Sequence, residues 1–352
     1  MAASERFEFA SDNTAAICPP AWAALAEANA AVEVSYGDDR WTRRVVERVR
    51  EIFETDCEVF LIFNGTAANA LALAHLCRSY HGVICHEYAH SQTDECGAPE
   101  FFSGGAKLIP TRGANGKLDL ANVEAAANRH VDVHSPKPRV LSLTQATELG
   151  TVYRRDEIER LCEFARARSL LVHMDGARFA NAVAALDCPP KTITWQAGVD
   201  VLCFGGTKNG TAAGELVVFF NKELAHEFDY RAKQGGQLAS KMRFLAAPWA
   251  GLLNGEAWIE NARHSNACAR LLARKLTEVL GEQPVFPCEA SAVFVRMPAR
   301  LATGLRTRGW RFYNFFAADL YRLMCSWSTT EEQIDEFVAD VRNCLAAGEN
   351  DA

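Results

Sequence analysis

The chain alternates short apolar runs with longer amphipathic stretches, and this pattern constrains its fold more than any other feature. "VFLIF" (59–63), "GVICHE" (82–87), "RVLSLT" (139–144), "LLVHMD" (170–175), "VDVLCFGG" (199–206) and "GELVVFF" (214–220) have strand length and little polar interruption. Apolar runs without strict alternation belong to strands buried on both faces. Helical patterns lie between them; "RRDEIERLCEFARARS" carries an apolar stripe at Ile158, Leu161, Cys162 and Ala165. Strands separated by helices predict βαβ units and a mainly parallel sheet in an α/β fold. The long stretch 245–280 reads as mostly helical and bridges to a smaller C-terminal α/β piece. That piece holds strand-like "AVFVRM" (292–297) and a final helix whose "TTEEQ" opening supplies an N-cap. Two domains are expected: an N-terminal arm with a large domain over 1–245, and a small domain over 246–352.

Composition narrows the function classes. Apolar residues make up 49% and charged residues 23% of 352, a globular balance. A net charge of −7 implies no basic face for nucleic acid. No apolar run approaches the roughly 18 residues of a membrane span. "MAASERFEFASDNT" lacks the apolar core of a signal peptide. The twelve cysteines form no CxxC pair, and Cys85 and Cys203 sit in apolar runs. They read as reduced, buried thiols of a cytoplasmic protein rather than a disulfide framework.

Three constellations carry chemistry. In "FLIFNGTAANALAL" a buried strand meets a helix at Asn64, Gly65 and Thr66. Such a junction can cradle a phosphate on backbone N–H groups at a helix N-terminus, or can be a plain capped turn. In "LLVHMDGAR", Asp175 falls at the carboxyl end of a strand, where parallel sheets bind ligands. Its carboxylate can hold a proton on a pyridine nitrogen, and Arg178 offers a fork of donors for a carboxylate or phenolic oxygen. A structural Asp–Arg pair is the plainer reading, and His173-x-Asp175 could also face a metal. In "VDVLCFGGTKNG", Lys208 follows a buried strand between Gly206 and Gly210. A desolvated lysine amine is the nucleophile of Schiff-base chemistry, although most lysines are solvated. Phosphate cradle, strand-end aspartate and lysine, in that order, match a fold-type I pyridoxal phosphate enzyme.

The chain also resembles the low-specificity L-threonine aldolase family along most of its length. "SDNTAAICP", "YGDDRWT" (36–42), "NGTAAN", "AHSQTDECG" (89–97), "GGTKNG" and "YRLMCSWSTTEEQID" (321–335) are similar to its conserved segments. "HMDGARFANA" is the most specific match. The resemblance implies a fold-type I large domain with a mainly parallel seven-stranded sheet, and a homo-oligomer, dimer or tetramer. It implies pyridoxal 5'-phosphate in a Schiff base with Lys208, Asp175 at the pyridine nitrogen and His90 stacked on the ring. Asn64, Gly65 and Thr66 would hold the phosphate. Ser11, Arg178 and Arg322 would grip the substrate carboxylate, and His134 would be a second active-site histidine. The implied reaction cleaves L-threonine, L-allo-threonine and related β-hydroxy-α-amino acids, including phenylserine, to glycine and an aldehyde. His90 or His134 would act as base. The segments "GGTKNGTAAGE", "GGQLASKMR" (235–243) and "TQATE" (144–148) depart from the family pattern. Three competing readings stand beside it: a β-eliminating lyase on the same machinery, a metal hydrolase using His81, His86, His90 and the His173/Asp175 pair, and an inactive binding protein of the same fold.

Overall fold

A computed structural model describes residues 5–129 and 132–349. Seven strands form its main sheet: β1 (Glu58–Ile62), β2 (His81–His86), β3 (Lys107–Thr111), β4 (Lys137–Thr144), β5 (Leu171–Gly176), β6 (Val201–Phe204) and β7 (Glu215–Phe219). Their spatial order is β1-β7-β6-β5-β4-β2-β3. Strands β2 to β6 pair in parallel, and β7 runs antiparallel to β1 and β6. The mainly parallel α/β architecture expected from the sequence is the one observed.

The apolar runs are continuous because helices cover both faces of the sheet. Val172, Met174, Leu202, Phe204, Leu216 and Val218 pack into one core with the helices Arg40–Phe53 and Phe179–Leu186. Val201, Cys203, Val217 and Phe219 pack into another beneath the helix Gly65–Leu76. Alternate residues of one strand thus feed two cores. Strand β3 gives no such run: it is an edge strand containing Pro110, and an edge tolerates the missing N–H.

A second, antiparallel sheet orders β8 (Ala292–Arg296), β10 (Ala317–Met324) and β9 (Tyr313–Phe315) as β8-β10-β9. Its core shares Leu272, Leu305, Phe337 and Val341 with the helices Ala257–Leu280, Ala299–Thr307 and Glu331–Glu349. Gln333 N–H donates to Thr330 Oγ1 and Thr330 N–H to Gln333 Oε1, so "TTEEQ" is a reciprocal N-cap. The stretch 245–280 is not one helix. It breaks between Arg243–Leu252 and Ala257–Leu280, where Gly255 has φ +72°. The N-terminal arm docks on the small sheet: Phe9 packs 5.1 Å from Phe337 and 5.7 Å from Trp310, and Met324 N–H donates to Phe9 O at 3.0 Å. Among the described residues no helix is long and apolar enough to cross a membrane.

Two turns meet where the sheet opens. Gly205 N–H donates to Gly176 O at 2.9 Å, and a Cβ on Gly205 would collide with the backbone of Ala177. One on Gly206 would enter the Trp249 ring. Gly205→Ala should therefore separate the turns after β5 and β6. Overpacking of this kind costs about 2 kcal/mol, and a thermal melt should show the loss as a lower Tm.

Candidate active site

The two turns bring Asp175 and Lys208 to one cavity of about 230 Å³. Asp175, next to last in β5, pairs in register with Thr144 of β4 and Cys203 of β6. It is 5% exposed, and its oxygens accept N–H groups from Asn69 Nδ2 at 2.9 Å and Ala177 N at 3.0 Å. Lys208 sits in a single 3₁₀ turn, Thr207–Asn209, beyond β6. Buried Glu215 at the start of β7 accepts Gly206 N–H at 2.6 Å, and burial pushes its carboxyl pKa up. Asn209 Nδ2 donates to Trp258 O at 2.8 Å. The lysine is thus carried on a turn fixed from two sides.

The same cavity is lined by Asn64, Gly65 and Thr66. The helix Gly65–Leu76 begins there, with Asn64 Oδ1 accepting Ala67 N–H at 2.9 Å. A Cβ on Gly65 would meet nothing within 4 Å, so open space faces the first turn. Free first-turn amides and the helix dipole make that space suited to an anion.

His90 also lines the cavity, at the head of the short helix His90–Thr93. Its Nδ1 lies 2.8 Å from Glu95 Oε1, and its Nε2 is 3.7 Å from Asp94 Oδ2. The hydrogen bond that His90 donates to Glu95 raises the imidazole pKa, burial opposes it, and the Asp175, Glu148 and Glu95 charges add to the rise.

The arm supplies the fourth wall. Asn13 lines the cavity, and Ser11 Oγ caps the first turn of the arm by accepting Asn13 N–H at 3.1 Å. Asp12 takes both ends of the Arg178 fork, from Nε at 2.7 Å and Nη2 at 3.0 Å. Here is the partner of the strand-end arginine: a carboxylate of this chain. Burial alone would lower the Arg178 pKa, but Asp12 with Glu148 and Asp175 hold it above the ordinary value. Burial likewise works against the Asp12 charge, and Arg178, Lys208 and Arg322 outweigh it, so its pKa is lowered. Arg322, on β10, is different. Its Nε is buried without a partner, and its guanidinium lies 5.1 Å over the Phe315 ring. Among the described residues it makes no ion pair. Burial and the charge of Arg178 lower its pKa. A half-buried guanidinium with a buried, unpartnered Nε calls for an anion.

His134 does not line this cavity within the chain. It is an exposed loop residue before β4, whereas the cavity opens at the carboxyl end of the parallel strands. The eight residues of β4 put roughly 26 Å of strand between them at the usual rise per residue. The other histidines are dispersed too. His81 accepts Arg78 N–H at the start of β2, and His86 bonds Gly113 O at its end. His173 shares the Asp175 face, but its nitrogens meet Ser142 and Cys203, and burial pushes its pKa down to about 4. Among the described residues no group of three His, Cys, Asp or Glu could hold a metal.

Sequence reasoning missed Asp12, Asn69, Glu95 and Glu215. The first three lie inside segments that carry the family resemblance, "SDNTAAICP", "NGTAAN" and "AHSQTDECG". Glu215 gave one signal, an acid opening an otherwise apolar run, "GELVVFF". An acid buried in a strand needs donors, and here they come from the lysine turn.

Together these groups supply an amine, an acceptor carboxylate, an anion cradle and an uncompensated cation. The beta-eliminating lyase family model matches residues 8–298. A low specificity L-threonine aldolase from a Pseudomonas species is 55% identical over 97% of this chain and 98% of its own. One from Pseudomonas aeruginosa is 56% identical over the same shares. A solved threonine aldolase structure from Leishmania major superposes with a TM-score of 0.90 at 26% identity, covering 96% of this chain and 99% of that one. By these matches the chain belongs to the beta-eliminating lyase family and, within it, to the low-specificity L-threonine aldolases.

Proposed function

We propose that the protein is a pyridoxal phosphate-dependent carbon–carbon lyase cleaving L-threonine, L-allo-threonine and related L-β-hydroxy-α-amino acids, phenylserine among them, to glycine and an aldehyde. The observation that carries this reading is the shared cavity of Lys208 and Asp175 beside the anion cradle. The residues fit the coenzyme: the open first turn at Gly65 suits its phosphate, Asp175 its ring nitrogen, and Lys208 its aldehyde carbon through a Schiff base. Bound there, the coenzyme supplies an electron sink for the pair left on Cα when the Cα–Cβ bond breaks.

The chain's own residues do the rest. Arg322, half-buried with an unpartnered Nε, holds the substrate carboxylate, with the Ser11 hydroxyl as a further donor. Fixing the carboxylate chooses which bond at Cα is labile. Arg178, committed to Asp12, anchors the arm and adds positive charge behind that subsite. His90 takes the β-hydroxyl proton at Nε2, since Nδ1 is held by Glu95. With His134 outside the cavity, His90 remains as the histidine base. We also infer a cytoplasmic homo-oligomer, dimer or tetramer, with a domain boundary near 245. Exposed Trp22, Val34, Tyr36 and Phe63 offer apolar side chains for such an oligomer to cover.

The family model's own description keeps β-elimination as the second reading. Product analysis separates them: threonine, allo-threonine and phenylserine should each yield glycine and an aldehyde, and Lys208→Ala should yield neither. Ammonia and a keto acid would instead establish β-elimination. Arg322→Met should lower kcat/KM for threonine roughly a hundredfold, mainly through KM. It should leave Tm unchanged or higher, because no carboxylate of the chain loses its partner. A Tm drop with unchanged KM would remove Arg322 from the substrate site.

A further inference from the structure

We propose that Glu95 and Asn69 are positioning residues that join His90 and Asp175 in one hydrogen-bonded chain, so that the charge on Glu95 sets the pH at which His90 can accept a proton. The inference rests on the reading above, in which His90 and Asp175 serve coenzyme and substrate.

The geometry is closed on one side and open on the other. The Glu95 side chain is 0% exposed. Its Oε1 accepts from His90 Nδ1 and from Asn69 Nδ2, each at 2.8 Å. The same Asn69 nitrogen donates to Asp175 Oδ2 at 2.9 Å. An amide group has two hydrogens, and here one goes to each carboxylate. An amide oxygen turned toward two carboxylates would be repelled, so the flip of Asn69 follows from its neighbours. Asn69 Oδ1 and Glu95 Oε2 are buried with no protein partner. Every donor in the chain is therefore spent on the His90–Glu95–Asn69–Asp175 line.

Burial raises the Glu95 pKa, and the His90 and Asn69 bonds pull against it. A buried carboxylate needs a cation, and His90 is the one in contact. The charged groups around His90 are Glu95 and Asp94 from its own segment, Asp175 from β5, Glu148 from the loop after β4, and Lys208, which lines the same cavity. Of these, Glu95 is the one in direct hydrogen bond. It fixes Nδ1 as the protonated nitrogen, sets the ring plane and leaves Nε2 to the cavity. Because His90 must be neutral to act as base, activity should rise with pH only above its raised pKa. Removing the Glu95 charge lowers that pKa and extends activity to more acidic conditions.

The test compares the holoenzyme of wild type, Glu95→Gln and Asn69→Ala by the pH profile of kcat/KM and by pH titration of the bound coenzyme's absorbance. Glu95→Gln should stay coloured and move the acid limb down by about one pH unit. In a His90→Asn background the same substitution should move no limb. Glu95→Asp, which keeps the charge, should restore the wild-type limb. Asn69→Ala should shift the absorbance titration, since Asp175 loses its Oδ2 donor. An acid limb that stays in place in Glu95→Gln, together with an absorbance titration that stays in place in Asn69→Ala, would overturn the inference. A wild-type protein that takes up no coenzyme would overturn the functional reading instead.

Discussion

The backbone of Gly205 lies against that of Gly176 and Ala177, and the site depends on that approach. Adjacent parallel strands bring their carboxyl ends together, but side chains on the following turns would normally hold the turns apart. Glycine at 205 removes that obstacle. The end of β5 then presents Asp175, the turn after β6 carries Lys208, and both line one cavity. Glu215 on the neighbouring antiparallel β7 ties down the second turn, and Trp258 O in the helix Ala257–Leu280 receives Asn209. A lysine on a solvated loop could reach many positions; this one is confined by its neighbours.

Charge balance explains how so many ionisable groups share a dry region. Arg178 is buried against Asp12, a pair that joins the arm to the large sheet. Breaking such a pair typically costs about 3–5 kcal/mol because one charge is left unmatched. Asp12 reaches Arg178 only because Phe9, three residues earlier, is fixed among Trp310 and Phe337 of the small core. The arm is thus a structural link between small and large units as well as a wall of the cavity. Arg322 stands on β10 of the small sheet without a carboxylate, and its charge is the one the chain leaves for a ligand.

The sequence made the large sheet legible because burial on both faces writes each strand as an apolar run. It concealed β3, whose Pro110 suits an edge, and the break at Gly255 in the long helical stretch. At the site, Asp175, Lys208 and the Asn64–Thr66 turn could be read from position at strand ends. Arg178 could be seen, but not its partner, since Asp12 lies 166 residues away and meets it only through the docking of the arm. Asn69 and Glu95 were hidden for a similar reason: a polar residue inside a helix such as Gly65–Leu76 acquires meaning only when the strand beneath it is known. His134 was singled out by the family resemblance alone, and it stands at the opposite end of β4 from the cavity.

The account stands on the amine of Lys208 being bonded to a ring whose nitrogen faces Asp175. Its most direct test is borohydride reduction of the purified protein followed by peptide mapping. The account predicts loss of the yellow absorbance and a pyridoxyl adduct on Lys208. A colourless protein, or an adduct on another lysine, would contradict it.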